Sequence, residues 1–340
     1  MSEKLFINDI VVSSRIRLAR NISQIPFPSR ANDEESQLAM NRALDALTDN
    51  ASLEADAFRF TNLDSLSALS RQSMVEKHLI SPELGKYRQS GTVINSTQTV
   101  SVMVNEEDHI RIQCILPGFS LEKAYTEANR IDDAIQEKLP FAFSEKYGFL
   151  TTCPSNLGTG MRAGVMLHIP AVVLNSRLSG IANMAGRFGL AIRGIYGEGS
   201  EALGDFFQIS NQYSLGLTEE EIVSNIHSIA KEIIKLERDE RNKLLINQED
   251  ILKDKIQRAF GVLTNAYMLS TKEAMSLLSL LRMGADLQIF QGVGFDTLNQ
   301  LITEIQPATL ALSEDERMDE RMRDICRARI IKEKLTEKGN

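Results

Sequence analysis

Residues 97–117 read TQTVSVMVNEEDHIRIQCILP. In the first eight, apolar and polar positions alternate, with Val100, Val102 and Val104 on one side. HIRIQCIL (109–116) alternates again through Ile110, Ile112 and Cys114. A period of two is the pattern of a half-buried strand. Two such runs about the short polar turn at Asn105, Glu106, Glu107 and Asp108 predict an antiparallel hairpin. Pro117-Gly118 stops the second strand.

Outward from this hairpin the chain keeps mixing strands and helices. Ser120 is placed to cap a helix whose Leu121, Ala124, Tyr125, Ala128, Ile131, Ile135 and Leu139 share one face. After Pro140 we expect a strand at GFLTTC (148–153), a Gly-rich loop at PSNLGTGMRAG (154–164), an apolar strand at VMLHIPAVVL (165–174) and a helix. A second Gly-rich loop follows, RGIYGEGSEALG (193–204). Thr218-x-x-Glu221 is a capping box that opens a long helix. Towards the N-terminus, 33–50 has helical spacing in Leu38, Ala39, Ala43, Leu44 and Leu47, with Asn32 or Asp33 as cap. Beyond about residue 245 Gly thins out and helical patterns fill 248–260, 271–283, 296–305 and 313–335, with further capping boxes at Ser270-x-x-Glu273 and Ser313-x-x-Glu316. The expected division is a mixed domain at 1–245 and a helical one at 246–340.

A chain of 340 residues has room for two domains. Lys plus Arg total 38 and Asp plus Glu 46, a net charge of −8, which argues against general nucleic-acid binding. The three cysteines, Cys114, Cys153 and Cys326, are too few and too scattered for a disulfide framework or a zinc knuckle. The opening MSEKLFINDI lacks a basic patch followed by an apolar stretch, and no apolar run approaches the roughly 20 residues of a membrane span. A cytoplasmic protein with no membrane association is expected.

The chemistry is carried by charge. There is no GxxxxGK[ST] and no kinase HRD or DFG set, and GTGMRAG lacks the strand–turn–helix setting of a dinucleotide site. Arg15, Arg17, Arg111, Arg162 and Arg193 each lie beside a strand end or a Gly-rich turn. Guanidinium forks suit phosphate oxygens, and five of them on one pocket would suit a triphosphate. Taken singly, each reads more simply as an ordinary solvated surface residue. Glu106, Glu107 and Asp108, with Glu198 and Glu201 of the second Gly-rich loop, could hold a cationic substrate and accept a proton, or form plain acidic turns. Cys153 begins the first loop, either as a reactive thiol or as a structural one. His78 has no second His at metal spacing, so no metal site built of protein side chains is expected.

SSRIRLAR (13–20), NEEDHIRIQ (105–113), CPSNLGTGMRAGV (153–165) and RGIYGEGSEA (193–202) resemble, in sequence and in order, the ATP:guanidino phosphotransferases, the family of creatine and arginine kinases and their bacterial relatives. The likeness implies an α+β catalytic domain on a large antiparallel sheet flanked by helices, with ATP and Mg²⁺ as cofactors. It implies ATP contacts at Ser14, Arg15, Ile16, Arg17 and Leu18; at His78 and Arg111; at Arg162, Ala163, Gly164, Val165 and Met166; and at Arg193, Gly194, Ile195, Tyr196, Gly197 and Glu198. Glu107 matches the catalytic carboxylate, Glu198 its partner and Cys153 the thiol beside the substrate.

The layout is similar to the bacterial protein-arginine kinases of that family. The first motif begins by residue 13, where metabolite kinases have a helical domain in front, and about a hundred residues follow the catalytic part. VEKHLISP (75–82) and RDICRA (323–328) also resemble that branch. The likeness implies an allosteric phosphoarginine pocket at Arg323, Asp324, Ile325, Cys326, Arg327 and Ala328, and a helical C-terminal domain that dimerises. Implied partners are proteins with exposed arginine, a zinc-binding activator protein (McsA type), a Clp unfoldase and protease, and a stress-gene repressor. The expected activity is transfer of the γ-phosphoryl of Mg-ATP to protein arginine. A free-arginine kinase and a phosphoarginine-binding adaptor are the alternatives.

Overall fold

The computed structural model describes residues 9–86, 89–194 and 203–336. In chain order the elements are β1 (Val11–Arg20), α1 (Asp33–Thr48), β2 (Arg59–Asn62), α2 (Ala68–Glu76), β3 (Gly91–Ile94), β4 (Val100–Val104), β5 (Ile110–Pro117) and α3 (Leu121–Gln136). After them come β6 (Phe143–Ser144), β7 (Gly148–Phe149), β8 (Met161–His168), α4 (Pro170–Leu174), α5 (Leu178–Arg187), β9 (Leu190–Gly194) and β10 (Phe206–Asn211). The rest is helical: α6 (Glu219–Asn265), α7 (Thr271–Asp286), α8 (Phe295–Glu304), α9 (Pro307–Ser313) and α10 (Glu320–Thr336).

The predicted hairpin is β4–β5, in register Val100↔Cys114 to Val104↔Ile110. It belongs to an eight-stranded sheet of order β2-β3-β4-β5-β1-β8-β10-β9, in which each neighbouring pair is antiparallel. Alternation then sorts the side chains by face. Ile16, Leu18, Val102, Ile112 and Val165 join the main core with α1, α3, α5 and the first half of α6. The opposite face carries polar and charged side chains. A small cluster of Leu63, Ile80, Leu84 and Met103 covers one end of it, and the C-terminal helices pack over Phe206, Val12 and Met166 at the other.

Local signals account for most helix starts. Asn32 caps α1 and Thr218 caps α6, each in a reciprocal box with the Glu three residues on. Ser120 occupies the N-cap of α3, but its hydroxyl donates to Pro117 O instead of capping the helix. α6 is broken at Gln248, with φ −144° and ψ 34°, three residues past the expected domain boundary. Among the described residues no helix is long and apolar enough to cross a membrane.

Three expected elements differ. GFLTTC forms a strand only at Gly148–Phe149. Thr152 N–H is drawn away to the Asp108 carboxylate at 2.7 Å, and Gly148 at φ +72° sits so close to Gly158 that a Cβ would lie 2.3 Å from its carbonyl oxygen. The expected strand 165–174 begins earlier, at Met161, and ends at His168. Pro170 then opens α4, whose Ala171 and Val172 N–H groups donate to the buried Glu237 carboxylate. The expected helix 313–335 starts later, at Glu320. Ser313 ends α9 with its hydroxyl on Leu310 O, and Asp319 caps α10 by accepting from Met322 N–H.

Candidate active site

The alternation of SSRIRLAR within β1 decides which residues face the open side. Arg15 and Arg17 point to it, while Ser14, Ile16 and Leu18 point to the core. Pairing brings further arginines alongside. Arg17 is opposite Arg162 of β8 and Gln113 of β5, Arg111 is opposite Ala19, and Arg193 of β9 is opposite Gln208 of β10. With strands about 4.8 Å apart, the guanidinium groups gather. All five arginines line one cavity with His78, Ser81 and Gln208.

Two members of this assembly are buried among like charges. Burial, then repulsion from Arg111 and Arg162, pushes Arg15 down to about 9. The same causes, with Arg15 added, hold Arg17 well below the guanidinium range. Nε of both Arg15 and Arg17 is buried without a hydrogen-bond partner. Guanidinium keeps its proton in proteins, so a bound anion would relieve the repulsion. Burial and Arg15 also lower His78 to about 4, which leaves a neutral imidazole at neutral pH.

A second cavity shares Arg17, Arg111 and Arg162 with the first. Its other walls are the acidic turn and the loop from Cys153 to Gly160. Each acidic residue there has a different job. Glu106 pairs with Arg111 and accepts from Ser81 Oγ. Burial alone would raise its carboxyl, but Arg111 and these hydrogen bonds hold it below the ordinary value. Asp108 accepts from Asn21 Nδ2 at 2.6 Å and Thr152 N–H at 2.7 Å, which ties the turn to the Cys153 loop. His109 accepts at Nδ1 from Ile22 N–H, 3.1 Å, and donates from Nε2 to Pro26 O, 3.0 Å.

Glu107 is left facing the cavity, and no side-chain hydrogen bond to its carboxylate is present among the described residues. Burial raises its carboxyl above the ordinary value, and the charges of Asp108 and Glu106 add to that. The Cys153 thiol lines the same space, 3.1 Å from Ser155 Oγ.

The remaining expected residues scatter. Ala163 and Val165 are core residues like Ile16 and Leu18, and Ser14 spends its hydroxyl on Gly118 O and Ser120 N–H. None of these five side chains reaches the cavity; alternation turns them to the other face. Gly164 does face it, and a Cβ there would lie 2.6 Å from Ile209 O, so glycine is what lets β10 close up. Met166 packs against the C-terminal cluster, and Gly194 ends β9 opposite Phe207. Ile195, Tyr196, Gly197 and Glu198 lie outside the described residues.

Sequence reading missed Gln113. It accepts from Arg15 and donates to His78 O, 2.7 Å, and Ser101 Oγ, 3.1 Å. The signal was there: Gln113 follows Arg111 by two on one strand face.

The segment 323–328 forms no open arginine pocket around Arg327. That guanidinium is 1% exposed and donates to Ile305 O, 2.9 Å, Leu269 O, 2.8 Å, and Asp324. Cys326 and Ala328 are buried beside it, Ile325 is half-buried, and Arg323 donates to Met318 O at 3.0 Å. In this arrangement Arg327 braces the ends of neighbouring helices.

Comparison with known proteins agrees with this geometry. Residues 39–240 match the family model of the ATP:guanido phosphotransferase C-terminal catalytic domain. Residues 249–340 match that of the protein-arginine kinase McsB C-terminal domain. A protein-arginine kinase of Pelotomaculum thermopropionicum is 44% identical over 327 residues, covering 96% of this chain and 92% of that protein. One of Bacillus subtilis is 43% identical over 328 residues, covering 96% and 90%. Among solved structures, the duplicated taurocyamine kinase of Schistosoma mansoni with bound transition-state-analogue components has a TM-score of 0.63 at 28% identity, covering 72% of this chain and 35% of that one.

Proposed function

The chain belongs to the ATP:guanido phosphotransferase family, among the protein-arginine kinases, and from that premise we propose how its residues move the γ-phosphoryl of ATP to an arginine side chain. The triphosphate lies in the five-arginine cavity, where the cations neutralise its oxygens and position it. The protein arginine enters the second cavity. Arg17, Arg111 and Arg162 line both cavities, and this single observation supports the reading, since a phosphoryl group at that shared wall would be in reach of both substrates.

Guanidinium has a pKa above about 12 and is a poor nucleophile while protonated. Glu107 holds the substrate guanidinium and accepts its proton during transfer. Glu198 is assigned the partner role on its motif, and Cys153 lies against the substrate. Mg²⁺ enters only as the companion of ATP: among the described residues no three His, Cys, Asp or Glu groups gather to hold a metal ion. When bound with the nucleotide, the ion would add charge neutralisation at the phosphates.

The proposed division is a catalytic part to about residue 245 and a helical part beyond it that dimerises. A cytoplasmic location rests on the composition of the chain, whereas the zinc-binding activator, the Clp machinery, the stress-gene repressor and the phosphoarginine pocket at 323–328 rest on resemblance alone.

The test offers γ-labelled ATP with an unfolded protein and with free arginine in parallel, then checks the products for acid lability. Acid-labile label on protein, absent with Glu107→Gln, is the expected result. Label on free arginine alone would move the chain to the metabolite kinases, and tight phosphoarginine binding without turnover would make it an adaptor.

A further inference from the structure

One wall of the arginine cavity is made by neither the sheet nor the Gly-rich loops. It comes from the end of α2 and the residues after it: Val75, His78, Ile80 and Ser81. Two of these bear directly on the arginines. The His78 carbonyl accepts from Gln113, which also accepts from Arg15. The Ser81 hydroxyl donates to Glu106, which pairs with Arg111. The position of this short segment therefore sets the position of two of the five guanidinium groups.

The segment is anchored from outside the catalytic sheet. Glu76, the last residue of α2, is 7% exposed, and its carboxylate accepts three hydrogen bonds from the start of α9. Ala308 N–H donates at 2.9 Å, Thr309 N–H at 2.7 Å and Thr309 Oγ1 at 2.9 Å. A carboxylate at the first turn of a helix takes orphan donors that nothing else satisfies. Ser73, one turn earlier, meets Thr309 Oγ1 at 3.1 Å. On the far side α9 is held in turn, because Arg327 of α10 donates to the carbonyl of Ile305, three residues before Ala308. His78 sits two residues past Glu76 at φ +58°, closing the end of α2 through its N–H to Val75 O. There is little slack between the anchor and the cavity wall.

We propose that Glu76 is a positioning residue through which the C-terminal helices set how tightly the arginine cavity holds the triphosphate. The inference rests on reading that cavity as the nucleotide site. Glu76 touches no substrate. By capping α9 it keeps His78 and Ser81 in register with Gln113 and Glu106, and so keeps Arg15 and Arg111 aimed at a common point. Loosening it leaves the chemistry intact at saturation but adds the ordering of 77–82 to the work of binding.

The test measures KM for ATP, kcat and thermal unfolding on the full chain. Glu76→Ala is expected to raise KM for ATP about tenfold, with kcat at saturating ATP within about twofold of the parent. Glu76→Gln, whose amide oxygen still accepts from one N–H, falls between. Should Glu76→Ala fail to fold, Thr309→Val removes only the hydroxyl contacts from the other side and is expected to raise KM by about two- to threefold. A lowered melting temperature with unchanged KM in these variants would overturn the proposal, because a merely structural role moves stability alone. Arg15→Ala keeps the two ideas apart. If it binds ATP like the parent, the nucleotide reading of the cavity fails; if it loses ATP while the Glu76 and Thr309 variants keep their KM, only the role of Glu76 does.

Discussion

Arg17 of β1 and Arg162 of β8 are direct cross-strand partners on the wall common to both cavities. Like charges facing each other across strands destabilise a sheet. Here the cost is borne at the one place where a phosphoryl group would sit between donor and acceptor. Arg17→Met should therefore raise the melting temperature of the ligand-free protein, by about 1 kcal/mol of stability, while removing most of the stabilisation that ATP gives. Thermal shifts with and without nucleotide check this. A ligand-free protein that melts lower than the parent would show that the repulsion is already relieved.

Glu107 and its neighbours differ in what they predict. Glu107→Gln should lower kcat by about 10²-fold or more with ATP binding kept, and normal turnover would remove it as the base. Glu106→Gln should instead act through Arg111 and raise KM for ATP.

The carboxyl of Glu107 lies above its ordinary value, first through burial and then through Asp108 and Glu106. The acid limb of kcat/KM should accordingly lie above the unperturbed 4.5, with activity falling as pH drops through it. Asp108→Asn deletes one of the charges that raise it, so the limb should move to lower pH. A pH profile of each variant decides.

His109 gives a stability prediction with a definite sign. Burial lowers it from 6.5 to about 4 in the folded protein, and its Nδ1 must stay unprotonated to accept from Ile22 N–H. Between those values the unfolded chain binds more protons than the native one, so stability is full above about pH 6.5 and is lost as pH falls towards 4. The span corresponds to about 3 kcal/mol. Urea unfolding across this range should show the slope, and His109→Gln should flatten it.

Arg327→Ala should behave as a core lesion. It strands the carbonyls of Leu269 and Ile305 and leaves Asp324 without its partner, costing about 3 kcal/mol or more. Arg327→Lys should rescue little, because one ammonium cannot span three acceptors in fork geometry. If Arg327→Ala melts like the parent, a ligand-binding role for this side chain regains its place.

Much of the site was legible as a set of residue types in strand context. The period of two through 97–117 specified the hairpin, and the same period in SSRIRLAR put Arg15 and Arg17 on one face with Ile16 and Leu18 on the other. The family likeness implies the whole motif as ATP contacts, whereas alternation turns the side chains of Ser14, Ile16, Leu18, Ala163 and Val165 away from the cavity. Helix starts at Asn32 and Thr218 were legible because capping is local. The stop of β7 and the late start of α10 were not, because each depends on a partner far away in sequence or on a hydroxyl that bonds backwards.

The amino-acid sequence by itself determined the alternation, the caps, and the identity of five arginines and an acidic turn with matching chemistry. These depend on neighbours within a few residues, where sterics and hydrogen-bond reach leave few choices. Only the tertiary structure decided that Arg15 and Arg193, 178 positions apart, share a cavity. Strand order alone brings β9 within reach of β1. It likewise decided that Glu76 is committed to α9 and Arg327 to helix ends, because a charged side chain shows its role only through the partner that burial assigns to it.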